Sequence, residues 1–481
     1  MSDKDALKKW NDLIPKEVKY LLHRLDKAGY EAYIVGGCVR DMYLGRIPHD
    51  WDITTSATPD EIENLFNKDH KVFDTGKEYG TIVVMHKGKP YEITTYRSDG
   101  DYSDCRRPDS VSFTKNLLND LKRRDFTMNA MAYRPEDVGL VDPYNGTEAL
   151  DVGVVHCMGK AYNRFAEDGL RIMRALRFAA QLNFDIEKTT SEAIHRKVYL
   201  LDKISKERIQ NELVKILESK NCGNNVMRDY SDVIVQIIPE IKPMIGFEQN
   251  NPYHSYDVWE HTLHCMNNIP DNADIIIRLA ILLHDIGKPL SYTEDENGIG
   301  HFYGHANISA EIAYKILTNL KFSNEIIEKT IQIIGIHDVV FTPTKAAVKR
   351  LLNKIGEEQF RRLLILRKCD IHGQTTYAKD DRIERINKIE ETLNWIISQK
   401  ECFNLKDLAI NGKDLIAMGI PEGKIIGTIL NTCLSYVIDG TVENDKDQLF
   451  KIVNTFFASN PTYSKIIQQK NKDTKGGNNN D

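Results

Sequence analysis

The feature that most constrains this chain is a change of hydrophobic rhythm near residue 160. Before it, strand-like runs mix with helical ones. VKYLLHRLDKAGY has helical spacing ending at Gly29, and EAYIV (31–35) reads as a short buried strand that turns at once through Gly36 and Gly37. TIVVMHKGKPYEITTY (81–96) holds two β-rich runs separated by Lys-Gly-Lys-Pro, which predicts a hairpin. After it the strand signal fades, and apolar residues recur at helical intervals, as at Phe165, Ile172, Leu176 and Ala180 of RFAEDGLRIMRALRFAA. The expectation is an α+β protein with a mixed β-sheet confined to its N-terminal part and an almost wholly helical remainder.

Length and composition narrow this further. A chain of 481 residues divides into about three folding units at roughly 150 residues each. Its 41% hydrophobic and 28% charged content excludes disorder of the whole chain. A net charge of −6, from 64 Lys and Arg against 70 Asp and Glu, excludes a globally cationic surface, so any polyanion must meet a local patch. The eight cysteines show no CxxC spacing and read as reduced thiols of a cytoplasmic protein. MSDKDALKKW lacks a signal-peptide core, and no apolar run is long enough to span a bilayer, so no membrane association is expected. Composition shifts suggest a mixed α and β unit to about 150, a boundary between helical stretches near 222 and a disordered end over 466–481.

The segment YIVGGCVRDMYLGRIPHDWDITTSA joins a strand, a Gly-Gly turn, an Arg-Asp pair and Asp50-Trp51-Asp52. Gly36 and Gly37 let backbone N–H groups approach a triphosphate, and Arg40 adds a charged fork. In a strand, Asp50 and Asp52 point to the same face and form a hard oxygen site suited to Mg²⁺. Either feature alone is more often an ordinary turn; their combination within seventeen residues is much rarer. Glu92, on the second predicted hairpin strand, is either a third carboxylate or a solvent-facing residue.

Together Gly36-Gly37-x-x-Arg40-Asp41, Asp50-x-Asp52, Arg123-Arg124-Asp125-Phe126-Thr127-Met128-Asn129-Ala130 and Glu167-Asp168-x-x-Arg171 resemble, in order, the class II tRNA nucleotidyltransferases and bacterial poly(A) polymerases over about residues 20 to 215. The resemblance implies a nucleotidyltransferase head over 1–150, a helical neck over 151–222, a helical body over 223–395 and a helical tail over 396–465, metal binding by Asp50 and Asp52, and a triphosphate or sugar contact at Arg124, with Asp125 and Asn129 alongside. It also implies that tRNA 3′ ends, CTP and ATP are the partners, with no obligate protein partner. Asp168, Arg171 and Arg174 are three residues apart and are expected along one side of a docked helix, with Arg177 one step off. An Asp accepting from an amino group and an Arg donating to a ring nitrogen suit cytosine and adenine and reject uracil and guanine. A solvated charge ladder is the alternative. The polar stretch YRSDGDYSDCRRPDSVSF, with Arg106 and Arg107, looks like the flexible loop of enzymes that add all of CCA, while SKERIQNEL (205–213) matches the family's neck in a structural role.

A second constellation lies in VWEHTLHCM, RLAILLHDIGKP, HFYGHANISA and LRKCDIHG. A buried His284-Asp285 pair is costly unless paired or metal-bound. The stretch from about 250 to 375 resembles the HD phosphohydrolase superfamily, which implies His261, His284, Asp285 and Asp370 as ligands of a divalent transition metal, with Mg²⁺ or Mn²⁺ still open. His301, His305 and His337 are further candidates for metal or phosphate contact. The leading reading is CCA addition to tRNA. A poly(A) polymerase or an A-adding enzyme is the rival within its class, and an HD hydrolase with an RNA-binding head is the rival outside it.

Overall fold

The computed structural model describes residues 10–100, 102, 108–135, 138–220, 226–253, 255–374 and 379–459. Arg106 and Arg107 of the loop, and the segment from 466 to 481, lie outside the described residues. Helix α1 (Lys16–Lys27) buries Val18, Leu21, Leu22 and Leu25, whose spacing puts them on one face. Strand β1 (Ala32–Val35) is buried at every residue and continues into the short helix α2 (Gly37–Tyr43). Then come β2 (Ile53–Thr55), β3 (Lys71–Gly76), β4 (Thr81–His86), β5 (Lys89–Thr95), helix α3 (Leu117–Lys122), β6 (Ala132–Arg134) and β7 (Gly139–Val141).

These strands form one seven-stranded sheet in the order β3-β4-β5-β2-β1-β6-β7. It is mixed as expected: β2 runs parallel to β5, and the other neighbours are antiparallel. A core cluster on this sheet includes Tyr33, Val35, Tyr96, Leu121 and Met158. The β4–β5 hairpin turns through Lys87 and Gly88 alone, both at positive φ (50° and 79°), as a tight two-residue loop requires. Lys89 and Pro90, expected in the turn, already pair as strand residues with His86 and Met85.

One expectation fails beyond the sheet. The predicted single helix through EDGLRIMRALR is two, α4 (Ala161–Glu167) and α5 (Leu170–Leu182), and Asp168 stands between them in extended conformation (φ −140°, ψ 105°). Its Oδ1 accepts from the Leu170 N–H at 3.1 Å, so the residue behaves as a capping aspartate, and glycine follows it. Asp168 therefore does not share a helix face with Arg171 and Arg174. The apolar side holds as expected, with Ile172, Met173 and Leu176 buried. Helix α6 (Lys206–Leu217) packs on α5. Strand pairing after 150 is limited, among the described residues, to Val154–Val155 with Asp185–Ile186 and Thr293–Glu294 with Gly300–His301.

The chain divides into two compact units. One comprises 1–245, 270–278 and 314–324, and the other 246–269, 279–313 and 325–481. The second is helical, with α7 (Val258–Met266), α8 (Lys345–Gly373, bent at Gly356), α9 (Lys379–Ser398) and α10 (Lys424–Asp439). A cluster including Ile410, Leu415, Cys433 and Leu449 forms its C-terminal core. The six described cysteines are unbridged, and among the described residues no helix is long and apolar enough to cross a membrane.

Candidate active site

The first site is built at the end of β1. Gly36 has φ +81°, and a Cβ there would lie 3.1 Å from Arg124 Nη1, so both conformation and space call for glycine. Arg40, on α2, donates to Asp41 Oδ1 at 2.9 and 2.8 Å and to Asn129 Oδ1 at 3.0 Å. Asp50 and Asp52 lie in the lead-in to β2, whose regular pairing begins at Ile53, while the Asp52 carbonyl still accepts from the Val35 N–H at 3.0 Å. The register Ile53↔Ile93 brings Glu92 alongside Asp52.

Solvent reaches all three carboxylates, yet the surroundings of Asp52 and Glu92 disfavour charge. Partial desolvation raises the Asp52 carboxyl above its ordinary range, with Arg124 opposing and Asp50 adding to the rise. Glu92 is raised by desolvation and then by Asp52 and Asp50. Asp50 and Asp52 line a 300 Å³ cavity together with Arg40, Arg124, Arg174 and Arg177, and Glu92 lies near enough for their charges to act on it, so a divalent cation between the carboxylates would relieve the repulsion.

The arginines are each anchored. Arg124 pairs with the fully buried Asp120 at 3.2 Å and Arg123 with the same residue at 2.8 Å. Asp125 accepts from Arg174 Nε at 2.7 Å and from Asn129 Nδ2 at 3.1 Å. Burial opposes its ionisation, but Arg174 and Asn129 outweigh that and lower it to about 2. Arg171 is buried and donates to Glu167 Oε2 at 2.5 Å and to the Arg164 carbonyl at 2.9 Å. Asp168 Oδ2 accepts from Arg208 Nη2 at 2.9 Å, and Arg177 lies 2.9 Å from Glu212. Asp168, Arg171, Arg174 and Arg208 line a second cavity of 440 Å³ shared with Tyr102 and Arg124.

The second constellation is also brought together. His261 Nε2 is 3.1 Å from Asp370 Oδ1 and 3.3 Å from Asp285 Oδ2, and His284 Nε2 is 3.3 Å from Asp285 Oδ2. The Nδ1 atoms of His261, His284, His305 and His337 each face a backbone carbonyl, of Gly373, Ile281, Phe302 and Ile334, at 2.7 to 3.1 Å. A carbonyl only accepts, so each Nδ1 carries a proton and each ring turns its Nε2 inward. His284 Nε2, fully buried, has no hydrogen-bond partner. His305 and His337 set their Nε2 atoms 3.1 Å apart, 3.4 and 3.7 Å from Asp285 Oδ1. Two imidazole nitrogens 3.1 Å apart and a third without a hydrogen-bond partner fit a bound cation. Two groups could take one: His261, Cys265, His284 and Asp370, and Asp285, His305 and His337. Lys288 Nζ, 2.7 Å from Asp285, and His284 help hold that carboxylate well below the usual range against the opposing effect of burial. His301 lines the adjoining 650 Å³ cavity but pairs with Asp295 at 3.1 Å.

Family models match three stretches of the chain: the poly A polymerase head domain over 32–156, a probable RNA and SrmB-binding site of polymerase A over 183–244, and a putative tRNA nucleotidyltransferase domain 2 over 290–453. The chain is 33% identical over 438 residues to the CCA-adding enzyme of Leuconostoc mesenteroides, covering 91% of this chain and 95% of that one. It is 34% identical over 460 residues to that of Ligilactobacillus salivarius, covering 91% and 96%. This chain belongs to the CCA-adding enzyme family. The structure of the Bacillus stearothermophilus CCA-adding enzyme in complex with CTP matches with TM-score 0.63 at 28% identity, covering 96% of this chain and 98% of that one.

As a member of the CCA-adding enzymes, the chain is a nucleotidyltransferase. Motif and spacing mark most residues of the first site but not Asp120, Arg208 and Glu212, which pair with its arginines and Asp168. Arg208 and Glu212 stand in SKERIQNEL, read only as structural, and nothing local marks their partners some 40 residues away. Cys265, beside His261 at 3.4 Å, was likewise read as an ordinary thiol.

Proposed function

We propose that the protein adds C, C and A to the 3′ end of tRNA from CTP and ATP, without a nucleic-acid template, releasing pyrophosphate. The observation that carries this reading is the pair Asp50 and Asp52 in an arginine-lined cavity, with Glu92 close to both, in a chain of this family. Asp50 and Asp52 would hold Mg²⁺, with Glu92 as the third carboxylate. The bound cation supplies activation of the attacking hydroxyl and neutralises charge on the leaving group. The 3′-oxygen of the tRNA bonds to the α-phosphorus as the bond from that phosphorus to pyrophosphate breaks, and the hydroxyl proton passes to water in the open cleft. Arg40, Arg124, Arg174 and Arg177 receive the triphosphate beside the Gly36-Gly37 turn, where backbone N–H groups lie close. Asp125 and Asn129 hold Arg174 and Arg40 in place. Asp168 and Arg171, which line the neighbouring cavity, read the pairing edge of the base. The head, neck, body and tail divide at residues 150, 222 and 395 in this reading, and the protein works in the cytosol.

The test is incorporation on tRNA lacking its CCA end. CTP alone should give two additions, ATP alone none, and both together CCA. Repeated A addition would instead identify a poly(A) polymerase, and A addition only after CC would identify an A-adding enzyme.

A second reading concerns the body. The inward-facing Nε2 atoms of four histidines favour an HD-type metal site, with His261, His284, Asp285 and Asp370 as ligands and His305 and His337 completing a second position on Asp285. Such a site supports phosphoester hydrolysis. In the His284→Ala, Asp285→Ala variant, bound transition metal per chain should fall while CMP addition persists, because the two sites lie in different compact units. Unchanged metal content, measured on the purified protein, would refute the ligand set.

A further inference from the structure

Three guanidinium groups of the carboxylate-side cavity converge on one aromatic ring. The Cζ atoms of Arg177, Arg40 and Arg174 lie 4.3, 5.1 and 5.5 Å from the centroid of Phe178. The ring is 4% exposed, and it also meets Phe126 edge to face at 5.6 Å and 81°. Arg174, Arg177 and Phe178 are carried by α5, and Arg40 by α2. Each arginine has its own carboxylate: Asp41 and Asp125 hydrogen-bond one edge of Arg40 and Arg174, while Glu212 lies 2.9 Å from Arg177 Nε without an aligned hydrogen bond.

Like charges gathered around a cavity repel, and a carboxylate at one edge does not by itself set the plane of a guanidinium. An aromatic face does. Its quadrupole attracts the cation, most strongly where water is excluded, and it leaves the in-plane N–H groups free. Phenylalanine has no donor or acceptor, so Phe178 can act on a ligand only through its neighbours.

We infer that Phe178 is a positioning residue of the triphosphate pocket: its ring holds Arg40, Arg174 and Arg177 in the planes from which their free N–H edges meet phosphate oxygens. This rests on reading the cavity as the triphosphate site. The phosphates are common to CTP and ATP, so the ring governs affinity for both equally and leaves base choice alone.

The experiment replaces Phe178, in the full chain, with mono-, di- and trifluorophenylalanine, which keep the shape of the ring while draining charge from its face, and separately with leucine. Equilibrium Kd values for CTP and ATP are measured beside kcat and Tm. The Kd values should rise together with each fluorine, reaching roughly tenfold in the trifluoro and leucine proteins. Tm, kcat and the CTP-to-ATP ratio of the fluorinated series should stay near wild type. Kd values indifferent to fluorination, or an effect confined to Phe178→Leu and accompanied by a lower Tm, would overturn the inference and leave Phe178 a packing residue. If the wild-type protein itself bound neither nucleotide, the reading of the cavity would fail instead.

Discussion

Asp50→Ala and Asp52→Ala should each abolish nucleotide addition, lowering kcat by at least roughly a thousandfold, while the protein stays folded. Both side chains open onto solvent in the cleft and neither packs in the core, so truncation removes the proposed cation ligand rather than a buried contact. Relief of the repulsion among Asp50, Asp52 and Glu92 should also keep Tm, measured without Mg²⁺, from falling. The double variant should lose little more than either single one, because residues acting on one bound ion are not additive. Measurable addition by either variant at saturating Mg²⁺ would exclude the pair as the metal site. A fall in Tm of the metal-free protein would show that the carboxylates also carry structure.

The second large effect is on base choice. Asp168→Ala should weaken use of CTP and ATP and raise the relative use of UTP and GTP, by roughly ten- to a hundredfold in kcat/KM, the scale of one well-formed bidentate contact to a base. Asp168 also caps α5 through the Leu170 N–H and pairs with Arg208, so alanine costs some local stability. Asp168→Asn separates the two roles: its amide oxygen can still cap the helix, but its amide nitrogen offers a donor where cytosine and adenine present a donor of their own. Competition among all four triphosphates reads the outcome. Wild-type selectivity in Asp168→Asn would assign this residue to the α4–α5 junction alone and move base choice elsewhere in the cavity.

The corrections share a cause. Phe165, Ile172, Leu176 and Ala180 keep helical spacing across the α4–α5 break, because periodicity registers which face is apolar and not whether the backbone is continuous. All four are indeed buried. The break depends on Asp168 turning its carboxylate to the Leu170 N–H, a local option that an aspartate in a helix can also decline. The hairpin differed by two residues for a similar reason: Lys89 and Pro90 look like turn residues, but the strand register absorbed them once Lys87 and Gly88 had closed the loop.

By itself the sequence determined the mixed sheet followed by helices, the glycine turn at Gly36, the Asp50-x-Asp52 pair and the ordered histidines and aspartates from His261 to Asp370. All of these rest on residue type and short spacing, which are local properties. Tertiary structure alone decided that the parallel register of β2 and β5 sets Glu92 beside Asp52, and that Arg174 rather than Arg124 pairs with Asp125. It alone brought Arg208 and Glu212 from α6 to Asp168 and Arg177, and turned the Nε2 atoms of His305 and His337 toward each other. An ion pair between residues far apart in the chain leaves no periodic trace, because its partners are chosen by how helices and strands pack, and a buried charge takes whichever partner that packing brings within reach.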